Sequence, residues 1–396
     1  MRLVILEAES LGKDMDLSGF SRFGEVTVYE KTTEEECPER VREADIVICN
    51  KVRMCSRTLS GAENLKLICV TATGINNIDL DYVKRHNIAV TNVAGYSTVS
   101  VAQHTFAMYF YLAEKLRYYD DYVKNGSYAA SSLFTCMDRP FTELEGKTWG
   151  IIGLGAIGAL IANAAVSLGM NVCGYDPYLS VDAAWRLSRD VKHEVNLDGI
   201  YAKADYISIN VPYTDQTFHM LDARAFSKMK DGVRIINESR AEIVDDDAML
   251  AALDSGRVGK YVTDFPNEKV VGVENIIALP HLGACTPESE EKSAVMAARE
   301  LYDYLANGNI KNSVNFPDAT LERMGVSRVC ILHQNVPTML NQFLEIACST
   351  GLNVENMINK AYGAYAYAMI DLNGRLDDDQ VAKIDRIPEV IRVRVV

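Results

Sequence analysis

Apolar residues in this chain gather in short runs, separated by polar stretches of helical character, and the alternation repeats along most of its length. Residues 2–8, Asp45 to Cys49, Leu65 to Val70 and Ile88 to Thr91 have strand length, and acidic segments such as Glu34 to Ala44 read as helices between them. Strands alternating with helices predict a parallel sheet, so this part is expected to be an α/β unit. A long apolar helix should run from about Val99, capped by the Ser/Thr-rich head that precedes it. Further strands are expected at Trp149 to Ile152, Met170 to Tyr175, Tyr206 to Val211, Val233 to Asn237, Lys260 to Thr263 and Asn275 to Leu279. Helices should cover Asp222 to Met229, Asp245 to Ser255, and Pro287 to about Leu305. An extended exit from Gly308 to Pro317 leads into PDATLERMG, which reads as a linker. Residues 326–396 change character. Strands at Val329 to His333, Ala364 to Leu372 and Ile391 to Val396 bracket a helix from Thr338 to Thr350, which suggests a βαββαβ, ferredoxin-like module.

One stretch adds chemistry to this pattern. Between Thr148 and Asp176 a buried-type strand is followed by Gly153, Gly155 and Gly158 in the spacing G-x-G-x-x-G, then by an Ala-rich helix and a second strand. Gly153 suits the tight turn, Gly155 lets backbone approach a pyrophosphate, and Gly158 lets helix and strand pack closely. The helix N-terminus offers free N–H groups to phosphate. Asp176 closes the second strand, about 20 residues on, where a carboxylate can accept from ribose hydroxyls. A dinucleotide is therefore expected, and NAD rather than NADP, because Asp176 would repel a 2′-phosphate.

Composition narrows the rest. A hydrophobic content of 48% and a charged content of 24% are ordinary for a globular chain, and its 396 residues suggest two or three domains. The net charge of −14 argues against nucleic-acid or anionic-membrane partners and requires local cations for any anionic substrate. Nine cysteines without metal-type spacing read as reduced core thiols in a cytoplasmic protein; Cys285 among them reads as a small apolar filler. No run is long enough to span a membrane, and no secretory signal opens the chain.

Arg240, Glu268 and His281 each follow a predicted strand, where ligand crevices form in open α/β sheets. Oxidising a 2-hydroxy acid needs a cation for its carboxylate, and Arg binds one bidentately. It also needs an acid/base near neutrality, which His supplies, and a carboxylate to orient that His. His86, His104, His193 and His219 lie in ordinary contexts and read as structural.

GLGAIG with Asp176, INESRAEIVDDDAM around Arg240, YVTDFPNE ending at Glu268 and LPHLGACTPESEE around His281 together resemble the D-isomer-specific 2-hydroxyacid dehydrogenases. The resemblance implies a doubly wound NAD domain (99–288) inserted in a flavodoxin-like substrate domain (1–98 and 289–318). In it, Arg240 binds the substrate carboxylate, and His281 is the acid/base with Glu268 as partner. Besides the three glycines and Asp176, it assigns Ala156, Ile157, Asn210, Pro212, Asp264 and Gly283 to the cofactor, and Lys51, Arg53, Gly74, Ile75 and Ser97 to the substrate. Residues 325–396 resemble an ACT regulatory domain, with ILHQNVPTML matching a serine-binding signature. The effector residues would then be His333, Asn335 and Asn353, and Thr338 stands where a Gly is often found.

Within that family the substrate can be read two ways. The ACT-like tail and residues 150–317 favour oxidation of 3-phospho-D-glycerate, while residues 50–58 and 92–105 look more like glycerate dehydrogenases, also called hydroxypyruvate reductases. Asn210, Thr263 and Ala241 depart from the residues usual at their positions. An NAD-sensing binding protein is the alternative of another class; the Arg, Glu and His trio speaks for catalysis and the acidic charge against DNA. A homodimer or homotetramer is expected by resemblance.

Overall fold

The computed structural model describes residues 1–11, 17–349 and 351–396; Thr350, the expected end of one helix, lies outside them. Two compact units result, one from Met1–Tyr96 with Pro287–Val396 and the other from Ser97–Thr286.

In the first unit, β1 (Arg2–Ile5), β2 (Glu25–Val28), β3 (Ile46–Cys49), β4 (Leu67–Val70) and β5 (Ala89–Asn92) form a parallel sheet in the order β2-β1-β3-β4-β5, the flavodoxin-like arrangement. Both faces are buried. Leu3, Ile5, Ile46, Ile48 and Cys69 pack on one, and Val4, Leu6, Val47, Ile68 and Val90 on the other. That is why these strands read as continuous apolar runs rather than alternating ones. The helix Glu34–Ala44 shortens to Cys37–Val41, and β2 was not expected, because its EVTV is mostly exposed at the sheet edge.

The C-terminal strands β13 (Ser327–Gln334), β14 (Val354–Tyr362), β15 (Tyr365–Leu372) and β16 (Val390–Val395) make an antiparallel sheet in the order β14-β15-β13-β16. With helices Met339–Cys348 and Asp378–Asp385 this is the βαββαβ pattern. The module is not a separately tethered body. Val329, Ile331, Phe343, Ile370 and Ile384 form its own core. Cys330, Leu332, Tyr367 and Met369, on the opposite face of β13 and β15, join the core that contains Ile46, Ile48 and Cys69. Arg328 is buried against Asp371 and donates to the carbonyls of Asn307 (2.8 Å) and Leu321 (2.9 Å). The expected linker PDATLERMG is therefore pinned: Ala319 is buried and bridges Ile310, and Arg323 donates to the Val396 carbonyl.

The second unit holds β6 (Thr148–Ile152), β7 (Asn171–Tyr175), β8 (Val191–His193), β9 (Tyr206–Ile209), β10 (Val233–Asn237), β11 (Val258–Thr263) and β12 (Ile276–Ala278). They form one parallel sheet in the order β12-β11-β10-β9-β6-β7-β8, the doubly wound order with an added outer strand. Strand order reverses between β6 and β9, which makes their carboxyl ends the expected ligand crevice. The long helix spans Thr98–Glu114 and stops at Lys115, whose φ of 55° is left-handed; a second helix, Leu116–Lys124, follows. Trp149 is fully buried and stacks on Tyr109 with ring centroids 4.6 Å apart, which locks the long helix onto β6.

Candidate active site

At the end of β6, Gly153 has a φ of 89°, and a Cβ there would lie 2.5 Å from the Asn210 carbonyl. A Cβ on Gly158 would lie 1.9 Å from the Gly153 carbonyl, so this glycine is what lets the helix start against the turn. Gly155 differs: nothing lies within 4 Å of the position its Cβ would take. It caps helix Ala156–Ser167 without a side-chain cap bond, leaving open space in front of helix N–H groups at Ala156, Ile157 and Gly158. A pyrophosphate fits such a cradle. Asp176 is oriented by two backbone donors, Leu154 N–H to Oδ2 and Tyr178 N–H to Oδ1, both at 2.9 Å. Each oxygen keeps a lone pair for a hydroxyl donor.

Along the same edge, β10 leads into Arg240. Asn237, fully buried, accepts from the Ser239 N–H (3.0 Å) and donates to the Arg240 carbonyl (2.9 Å), shaping the turn. The half-buried guanidinium sits 5.2 Å from the centre of the Phe265 ring. The His281 ring also lies against Phe265, with centroids 4.5 Å apart. His281 adopts a φ of 52°, unusual for a residue with a side chain and a feature concentrated at functional sites.

The partner of His281 differs from the expected one. Its Nδ1 lies 2.8 Å from Oδ2 of Asp264, which is 1% exposed. Asp264 directly follows β11 and is held at the strand end, whereas Glu268 lies beyond it beside the Asn267–Val270 turn. Glu268 is exposed, and its side chain makes no hydrogen bond or ion pair among the described residues. The carboxylate paired to the imidazole is thus Asp264, which sequence reasoning had given to the cofactor. With Nδ1–H donated to Asp264, Nε2 is left to take or give a proton.

Two more titratable groups crowd this pair, and neither was singled out from sequence. Glu238 receives a short contact from the Thr105 hydroxyl, and its Oε1 is buried without a partner. Burial, with the Asp264 charge adding to it against the Thr105 bond, pushes the Glu238 carboxyl up to about 8. His104, read from sequence as ordinary, has a buried, unpartnered Nε2; burial pushes its imidazole below the usual value despite Asp264, with His281 adding to the effect. The signal available was an acid at a buried strand end, two positions before the arginine.

Of the other assigned residues, Asn210 lies against Gly153, and a Cβ on Gly283 would lie 3.2 Å from Glu238 Oε1. Asn210 Nδ2 donates to Ser208, Pro212 accepts from Thr217 through its carbonyl, and Gly283 accepts from the Ser100 hydroxyl. Ser97 is buried at the head of the long helix. Cys285 is exposed rather than a core filler, as is Cys348, while Cys37, Cys49, Cys69, Cys173 and Cys330 are buried.

In the first unit, Glu7 Oε2 accepts three successive backbone N–H groups, from Asn50 (2.7 Å), Lys51 (2.8 Å) and Val52 (3.0 Å). Asn77 donates to the Val52 carbonyl, and Met54 pairs with Ile78, so this loop lies beside the one carrying Gly74 and Ile75. Lys51 and Arg53 are exposed, and their side chains make no hydrogen bond or ion pair among the described residues. The effector trio is not assembled within one chain. His333 is 2% exposed, and its ring nitrogens bond the Gln334 carbonyl and Asn359. In register it faces Ala366, whereas Asn353 precedes Val354, which faces Leu372. At about 3.3 Å per residue the two ends are about 20 Å apart.

A family model for the NAD binding domain of the D-isomer specific 2-hydroxyacid dehydrogenases matches residues 106–283. A hydroxypyruvate reductase of Blautia hydrogenotrophica is 31% identical over 326 residues, covering 80% of this chain and 100% of its own length. The chain belongs to the D-isomer specific 2-hydroxyacid dehydrogenase family. D-3-phosphoglycerate dehydrogenase 1 of Saccharomyces cerevisiae is also 31% identical, over 86% of this chain and 75% of its own. Among solved structures, D-lactate dehydrogenase from Aquifex aeolicus, complexed with NAD and lactic acid, matches with a TM-score of 0.66 and 27% identity, over 80% of this chain and 100% of that one. This dehydrogenase is accordingly an NAD-dependent oxidoreductase of 2-hydroxy acids. None of its helices, among the described residues, is long and apolar enough to cross a membrane.

Proposed function

We propose that this dehydrogenase oxidises 3-phospho-D-glycerate to 3-phosphohydroxypyruvate, the entry to L-serine synthesis. The observation that carries the reading is the loop of Lys51 and Arg53: a clamped backbone presenting two uncommitted cations in a chain of net charge −14. A phosphorylated 2-hydroxy acid has two anionic ends. Arg240 takes the carboxylate, and Lys51 and Arg53 take the phosphate, with Gly74, Ile75 and Ser97 completing the substrate contacts. His281 removes the hydroxyl proton at Nε2, and Asp264 accepts its Nδ1–H and favours the imidazolium that results. NAD, when bound, supplies the hydride-accepting chemistry. Gly153, Gly155 and Gly158 with Ala156 and Ile157 would hold its pyrophosphate and Asp176 its ribose, and Asn210, Pro212 and Gly283 would complete the cofactor contacts.

The runner-up is glycerate dehydrogenase, favoured by the full-length match to the Blautia hydroxypyruvate reductase. Leu133, Phe134, Met137 and Phe141, all exposed on the NAD unit, support pairing with a second copy there. Serine feedback, if present, would draw His333 with Asn335 and Asn353 from two copies. The deciding experiment follows NADH oxidation with 3-phosphohydroxypyruvate and with hydroxypyruvate, each with and without L-serine. A large preference for the phosphorylated keto acid is expected. A preference for hydroxypyruvate replaces this reading with the runner-up, and failure of both substrates removes it.

A further inference from the structure

Behind the His281–Asp264 pair lies a group of buried acceptors that the reaction as described does not use. Glu238 Oε1 and Asp264 Oδ1 are both buried without a donor, as is Nε2 of His104. The two acids directly follow β10 and β11, adjacent strands about 4.8 Å apart, and His104 lies on the helix Thr98–Glu114. No cation pairs with Glu238 among the described residues.

The hydrogen-bond count around Thr105 bears on the protonation of this group. Its hydroxyl has one proton, yet it lies within reach of two acceptors, the Val101 carbonyl (2.9 Å) and Glu238 Oε2. One proton cannot serve both. The count closes when Glu238 carries its own proton and donates it to Thr105, whose hydroxyl then donates to Val101. Two adjacent buried carboxylates favour the same result, because the charge on Asp264 raises the cost of ionising Glu238.

We infer that Glu238 is a neutral carboxylic acid in the working enzyme and acts as the positioning residue of the Asp264–His281 pair. Holding the proton on Glu238 leaves Asp264 free to accept from His281 Nδ1; a shared or misplaced proton would cost that bond and the orientation of the ring. Burial of Glu238, which pushes its carboxyl up to about 8, agrees with this assignment. The charged group that acts on it is Asp264 at the end of β11; beyond Asp264 stand His281, paired to it, and His104 on the helix Thr98–Glu114, while Arg240 follows two residues on in the same loop. Once Glu238 loses its proton, its negative charge joins that of Asp264 beside the imidazolium, so keto-acid reduction persists to higher pH than Asp264 alone would allow.

This inference rests on His281 being the acid/base, so its test has one readout that depends on turnover and one that does not. The first is the pH profile of kcat for keto-acid reduction in the wild type, Glu238→Gln and Glu238→Ala. Gln reproduces the neutral acid and its donation to Thr105. It should keep NADH affinity and move the alkaline limb to lower pH by about half a unit or more, while Ala should lower kcat at every pH. A Gln profile that superimposes on the wild type overturns the effect of Glu238 on the alkaline limb, and an Ala enzyme with wild-type kcat overturns the positioning role. The second is infrared difference spectroscopy of the full chain. The carbonyl stretch of an un-ionised carboxylic acid should vanish as pH rises through about 8, be missing in Glu238→Gln, and vanish at lower pH in Asp264→Asn. Absence of that band from the wild type at neutral pH overturns the inference. If no keto acid is reduced but the band is present, the proposed reaction fails while the protonated Glu238 stands.

Discussion

At the strand ends of the NAD unit, the polar side chains are tied to one another: His281 to Asp264, Glu238 to Thr105, and Arg240 and His281 both to the Phe265 ring. In the substrate unit the order is inverted. Glu7 fixes the backbone of Asn50, Lys51 and Val52, while the Lys51 and Arg53 side chains stand uncommitted in solvent. Proton transfer needs an imidazole held in one orientation and tautomer, which a buried carboxylate partner supplies. Recognition of one anionic end among similar substrates needs cations that can be exchanged without disturbing that set. The division separates the groups that would move the proton from those that would read the far end of the substrate.

Breaking the wired side should have the largest effects. His281→Ala should lower kcat by roughly 10²–10⁴ and leave NAD affinity near normal, measured by steady-state rates and cofactor titration. Asp264→Asn should approach that loss, at roughly 10²-fold or more, whereas Glu268→Gln should stay within about two-fold. The reverse ranking would return the partner role to Glu268. Arg240→Ala should follow, with kcat/KM down about 10- to 100-fold, the ~1.5–3 kcal/mol of a hydrogen bond to a charged group.

On the open side effects should be smaller and depend on the substrate. Replacing both Lys51 and Arg53 by Ala should raise KM for 3-phosphohydroxypyruvate about 10-fold and leave KM for hydroxypyruvate unchanged. Equal effects on both keto acids would mean these cations sense only total charge. Glu7→Gln, which weakens the clamp but removes no substrate contact, should raise KM for both keto acids a few-fold.

Much of the NAD unit was legible because its signals are local. The glycine spacing, the strand VRIIN and the strand-end placement of Arg240 and His281 depend on neighbours a few positions away. Asp264 and Glu268 show where that stops: both are acids after β11, and only the fold decides which one reaches His281. Glu238 and His104 were missed for the same reason, since their meaning comes from Thr105 and Asp264, far away in sequence. β14 was not placed individually because VENMINKAY is largely exposed and offers no apolar run. PDATLERMG has the composition of a linker, yet Ala319 and Arg323 are held by partners that no local pattern reveals.

The smallest effect contrasts the two units through their buried acids. In the substrate unit Glu300 accepts from Asn312 at 2.6 Å, and burial pushes its carboxyl up to about 7, with Asp318 adding to it against the opposing effects of Asn312 and Lys311. Glu238 plays the same part in the NAD unit, at about 8. Unfolding returns each acid to its ordinary value of 4.5. Between 4.5 and the raised value, the folded chain therefore binds more protons than the unfolded one. Stability then falls as pH rises through that window and levels off above it. Melting temperature should drop by a few degrees between about pH 5 and 8, given that ~1 kcal/mol moves the midpoint of a mid-sized domain about 2–4 °C. Glu300→Gln should remove the part of the slope that ends near 7, and Glu238→Gln the part that continues to about 8. Only the second substitution should also move the alkaline limb of the rate profile, because only Glu238 adjoins Asp264, the partner of the imidazole. A Glu300→Gln enzyme whose rate profile shifted as well would mean that the pH response is a property of the fold as a whole, and the division between wired and open sides would lose its catalytic meaning.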